Sequence, residues 1–82
     1  MDKAMASRLA ELAIKCSFDK DTSELEKLFE AQGYEVTIKG DTLYARRDDY
    51  ATWVQKGSDP ITVLSIILLA LLTPYGMGTE VA

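Results

Sequence analysis

Histidine is absent from this 82-residue chain, and cysteine occurs once, at Cys16. Without histidine there is no imidazole base for a hydrolytic relay and no Cys–His zinc set. A single cysteine excludes an intrachain disulfide. The five glycines, Gly33, Gly40, Gly57, Gly76 and Gly78, are scattered, and none opens a Gly-Lys-Ser/Thr phosphate loop. The acidic residues form no loop of alternating oxygen ligands closed by a distal Glu. Ser7, Ser17, Ser23, Ser58 and Ser65 have no histidine to activate them, and nothing locates a Ser–Lys dyad. The chain is therefore read as non-enzymatic, with no catalytic residue, cofactor or metal ligand.

Positive charge is also in short supply. Nine Lys and Arg stand against thirteen Asp and Glu, a formal net charge of −4. A protein of this sign is not built to coat duplex phosphates, where cationic contacts carry the affinity. Four charges are an ordinary solubility margin. The longest uncharged apolar run, Ile61 to Leu72, has twelve residues. A spanning helix needs about 20, so a membrane partner is the minor reading. The opening Met1-Asp2-Lys3 lacks the basic-then-apolar order of a secretion signal. With an unpaired thiol, this favours a reducing cytoplasm.

What is present is a patterned globular chain, 48% hydrophobic, near the lower size limit for a self-sufficient core. Met5, Leu9, Leu12 and Cys16 recur at steps of four, three and four, which predicts a first helix from Lys3 to Cys16. Ser17 to Lys20 is the break, with Phe18 turned inward. Asp21, Thr22 and Ser23 are all N-cap residues, and Asp21 with Glu24, or Ser23 with Glu26, can cap reciprocally. Leu25, Leu28 and Phe29 form the inner face of this second helix, and Gly33 ends it.

The period then changes to two. Tyr34, Val36 and Ile38 alternate with polar residues, Gly40-Asp41 interrupts, and Thr42 to Arg47 resumes the alternation. A two-residue turn pairs Ile38 with Leu43, Val36 with Ala45, Thr37 with Tyr44 and Glu35 with Arg46. Residues 50–55, YATWVQ, are preferred as a third strand turned by Asp48-Asp49; the rival is a short helix. Asp59-Pro60 then starts a last, strongly apolar helix.

The expected fold is α+β, in the order α-α-β-β-β (or short α)-α, with an antiparallel meander packed on helices and the apolar C-terminal helix at the centre. Residues 1–74 make one domain, and 75–82 a flexible tail whose Thr79-Glu80-Val81-Ala82 can serve as a recognition tag. On the three-strand reading, Tyr44 lies opposite Trp53, with Arg46 two residues along, on the face away from the helices. Aromatics beside an arginine anchor protein interfaces or stack unpaired bases. Tyr44, Arg46 and Trp53 are the expected partner-binding residues. The partner is a protein, with single-stranded nucleic acid the alternative. Compact acidic chains of this size, free of motifs, are common among accessory and phage-encoded inhibitors, an analogy from size and composition alone.

The last helix is apolar nearly all round, and so small a chain cannot cover it fully. Leu68, Leu69 and Leu72 are expected to form a leftover patch that a twofold homodimer buries.

Overall fold

A computed structural model describes residues 2–72 of the chain. Three helices and a three-stranded antiparallel sheet follow one another as α1 (Lys3–Phe18), α2 (Ser23–Ala31), β1 (Glu35–Lys39), β2 (Thr42–Arg47), β3 (Tyr50–Gln55) and α3 (Pro60–Leu71). This is the expected small α+β domain, with 50–55 a strand. The tail at 75–82, with its possible tag, lies outside the described residues.

The Asp2 carboxylate caps α1 by accepting from the Met5 N–H at 2.8 Å. Leu9, Leu12, Ala13 and Cys16 form its buried line. The helix runs two residues into the expected break, to Phe18. That extension carries Phe18 about 200° round from Cys16, so Phe18 is 71% exposed instead of tucked inward.

Neither expected capping pair forms at α2. The Asp21 carboxylate accepts from the Ser23 N–H at 3.0 Å and its hydroxyl at 2.8 Å, which makes a local turn. Thr22 is the cap residue, buried, and its hydroxyl donates to Glu26 at 2.8 Å. Glu24 is drawn away by α1, bonding Lys15 and facing Arg8 at 3.9 Å. Leu25 and Phe29 are buried. Gly33, at φ +89°, turns the chain into β1 as the Tyr34 N–H donates to the Phe29 carbonyl at 3.0 Å.

The strands lie in the order β1-β2-β3. Glu35 pairs with Arg46, Val36 with Ala45, Thr37 with Tyr44 and Ile38 with Leu43, and Tyr44 pairs onward with Trp53. Leu43, Ala45 and Val54 point into the core and are buried. Ile38 shares their face but remains 39% exposed, because it sits on an edge strand beside the Gly40-Asp41 turn.

One end of the core is organised by Tyr34. Its ring meets Phe29 edge-on at 5.4 Å and Tyr50 at 6.3 Å. Its hydroxyl donates to the Ala70 carbonyl of α3 at 2.8 Å. The Arg47 guanidinium lies 4.5 Å from the ring centroid and donates to the Gln32 carbonyl at 2.7 Å.

Asp59 caps α3, accepting from the Thr62 N–H at 3.0 Å and the Thr62 hydroxyl at 2.6 Å. Val63, Ile67 and Ala70 are the buried stripe, and α3 packs against α1 and β3. The opposite side, with Ile61, Thr62, Ser65, Leu69 and Leu72, is exposed. Two other helices and one sheet face are too little protein to enclose a helix that is apolar nearly all round.

Candidate interaction surface

Period-two alternation sends every second side chain of the meander away from the helices. On that outer face lie Glu35, Thr37 and Lys39 of β1, Tyr44 and Arg46 of β2, and Ala51, Trp53 and Gln55 of β3, all exposed. The expected trio is thus brought together. Tyr44 and Trp53 are direct cross-strand partners, 44% and 56% exposed, and Arg46 follows two positions after Tyr44 on the same strand.

The charges around the aromatics are arranged by register. Arg46 stands directly across from Glu35, with 3.9 Å between guanidinium and carboxylate, both largely in solvent. Such a pair contributes little to stability, about 0–1 kcal/mol. Lys39 holds its ammonium 5.9 Å from the centre of the Tyr44 ring. It occupies the position diagonal to Tyr44, within reach of a long side chain. A hollow of about 310 Å³ runs between these groups, bordered by Glu35, Thr37, Lys39, Tyr44, Arg46 and Ala51. The face therefore offers the Tyr44 ring, two cations and one carboxylate around a shallow concavity, with the Trp53 ring beside Tyr44 on the neighbouring strand.

Sequence reasoning placed Lys39 and Glu35 on this face but left them out of the site. The pair Glu35–Arg46 already contained one of these positions, and the same register sets Lys39 opposite Thr42, diagonal to Tyr44. Arg47 is the larger miss. Given no place in the core by sequence reasoning, it follows Leu43 and Ala45 inward and is 9% exposed.

Among the described residues, no three acidic or cysteine side chains converge as a metal site. Cys16 is fully buried on α1. Burial pushes its thiol pKa up, against the smaller opposing effects of the Gly57 N–H and Lys56, which is the reverse of what a nucleophile requires.

The leucines expected at a dimer interface are divided by the structure. Leu69 and Leu72 are 60% and 63% exposed, while Leu68 is partly buried; Ile61, at 76%, joins the open side in its place. Among the described residues, no helix is long and apolar enough to cross a membrane.

Comparison of the chain with protein families, with curated proteins and with solved structures finds no match.

Proposed function

We propose that this protein works by occupying a surface of another protein, without chemistry of its own, through the sheet face centred on Tyr44, Trp53 and Arg46. The observation that carries this reading is the exposure of Trp53 beside Tyr44. A tryptophan presents about 250 Å², and Trp53 leaves 56% of its surface in water. At about 25 cal/mol per Å², covering that share is worth about 3 kcal/mol before association costs. Trp, Tyr and Arg are also the residues that dominate measured protein interfaces. A buried free thiol is compatible with a cytoplasmic setting.

A second reading, binding of single-stranded nucleic acid, draws support from Lys39 and Arg46 flanking the same rings. The two readings separate in one experiment. Lysate from the native host is passed over the wild-type chain and over Trp53→Ala, captured species are identified, and each is retested as a purified pair. The protein reading expects a protein partner whose affinity falls about 30-fold with Trp53→Ala, the loss of about 2 kcal/mol at an anchor residue. Its dependence on salt is shallow. Affinity that collapses steeply with rising salt and resides in RNA or single-stranded DNA establishes the second reading. A partner that binds Trp53→Ala as tightly as wild type refutes both.

A further inference from the structure

The main-chain hydrogen bonds of β3 identify an open seam. In an antiparallel pair, bonded and non-bonded residue pairs alternate. The Lys56 N–H donates to the Asp41 carbonyl at 2.7 Å, in register with Thr42↔Gln55. Counting back by twos, Val54, Thr52 and Tyr50 also turn their main-chain groups toward β2. Ala51, Trp53 and Gln55 therefore turn theirs outward. The Ser58 N–H confirms that direction by donating to the Gln55 carbonyl at 3.1 Å. Among the described residues, no such bond meets the outward N–H and C=O groups of Ala51 and Trp53.

Natural sheets guard such edges with charge, proline, bulges or a covering element. The other edge strand, β1, carries Glu35 and Lys39 in five residues. Tyr50–Gln55 contains no charge, no proline and no glycine, and its pairing with β2 is regular.

We infer that β3 is the seam of a twofold homodimer, in which a second copy adds its own β3 antiparallel about Thr52 and the two sheets join into one of six strands. Three complementarities select a second copy as the occupant. Register about Thr52 sets Ala51 opposite the second copy's Trp53 and Trp53 opposite its Ala51, which gives four main-chain bonds between groups already aimed outward. It also lays the large indole beside the small methyl on the outer face, where both residues are exposed. Finally, it brings the Asp48-Asp49 turn of each copy beside Lys56 of the other. Opposite charges thus meet at both ends of an uncharged strand. Lys56 also lies near Asp21 of its own chain, so this attraction supplements the strand bonds. The inference stands apart from the proposed partner-binding role, because the rings of Tyr44 and Trp53 remain on the outer face of the joined sheet.

The test uses sedimentation equilibrium of the full chain across the micromolar range, with four variants. Ala51→Pro removes an outward N–H and leaves the β2 ladder intact, as edge prolines do. It is expected to weaken association at least tenfold with an unchanged far-ultraviolet spectrum. Thr52→Cys places two thiols on the axis at a non-bonded pair, with Cα atoms about 4.5 Å apart. That is within disulfide range, so mild oxidation should give a covalent dimer, whereas Ala51→Cys, offset from its own symmetry mate, should not. Native Cys16 is buried and stays out of the reaction. Leu72→Glu, on the exposed side of α3, should leave the dimer intact. A wild-type chain that is monomeric throughout the range overturns the inference, as does failure of Thr52→Cys to cross-link. Dimerisation abolished by Leu72→Glu and retained by Ala51→Pro overturns it too, and moves the interface to α3.

Discussion

Arg46 and Arg47 are neighbours of identical chemistry, and replacing each in turn by methionine should separate them by at least about 1.5 kcal/mol of stability. Arg47 is 9% exposed, donates to the Gln32 carbonyl at 2.7 Å and covers the Tyr34 ring at 4.5 Å. A hydrogen bond from a charged donor is worth about 1.5–3 kcal/mol, and a partly desolvated cation–π contact about 0.5–2 kcal/mol. Methionine preserves much of the apolar stem, so packing is largely held constant. The expected loss for Arg47→Met is about 2–4 kcal/mol, a large share of the stability of a chain this small. Arg46 has a side chain 72% exposed and meets Glu35 only at 3.9 Å; Arg46→Met should cost about 0–0.5 kcal/mol. Urea unfolding followed by far-ultraviolet circular dichroism measures both. With a slope of about 1 kcal/mol per molar, Arg47→Met lowers the midpoint by about 2 M or more, while Arg46→Met leaves it nearly unmoved. Equal midpoints for the two variants would refute the inward placement of Arg47, and with it the ring-and-cation arrangement around Tyr34.

Tyr34→Phe removes the hydroxyl that donates to the Ala70 carbonyl at 2.8 Å; with that buried acceptor left unmet, unfolding measurements should show a loss of about 1–3 kcal/mol. Asp48 holds φ +52° without being glycine, so Asp48→Gly should raise stability by about 0.5–1 kcal/mol. Gly40→Ala should lower it by a similar amount, because Gly40 sits at φ +57° with nothing within 4 Å of an added methyl. Stability should fall on both sides of a neutral plateau in a pH series of thermal melts. On the acid side, Glu24 is held below its ordinary value by the Lys15 hydrogen bond, Asp21 by the Ser23 N–H and Asp59 by the Thr62 hydroxyl. Folded values below unfolded ones mean stabilisation that is full above about pH 5 and lost as pH falls through the folded values. On the alkaline side, Lys15 is raised by Glu24, and Cys16 and Tyr34 are raised by burial. Their contribution is full below the unfolded values and lost as pH rises through the folded ones. A melting temperature flat from acid to alkali would refute this assignment.

The register of the meander was legible because two independent signals agreed. The Gly40-Asp41 turn fixed which residues face each other, and alternation fixed which face each takes. A one-residue slip would have sent Leu43 and Ala45 into water. Helix ends were less legible. Asp21, Thr22 and Ser23 are three competent caps in a row, and the choice among them was made by burial of Thr22 and by Lys15 reaching for Glu24 from another helix. No local pattern contains that contact. Phe18 was misplaced for a related reason: where α1 stops decides whether that ring points to the core or to water. Arg47 needed only the alternation already in use, since a guanidinium finds carbonyl and ring partners well inside a small core. For the candidate site, the grouping of Tyr44, Trp53 and Arg46 followed from register alone. What binds there does not, because a flat aromatic face is complementary to many surfaces.

The two open regions of the molecule differ in the partner each can select. The exposed side of α3 offers Ile61, Leu69 and Leu72, which is area without direction, since burying aliphatic surface is favourable in almost any orientation. Its hydroxyls are already satisfied: Ser65 donates to the Ile61 carbonyl at 2.9 Å, and Thr62 to Asp59. Covering this side therefore leaves no polar group unmet and imposes no register. The β3 edge is the converse. It has little area, but its donors and acceptors recur at a fixed spacing, and only another extended backbone in the correct sense can meet them. A mismatch of one residue there leaves those groups desolvated and unbonded, which costs more than the seam gains. Discrimination by register therefore resides in the strand edge, whereas covering the exposed side of α3 buries area with little specificity.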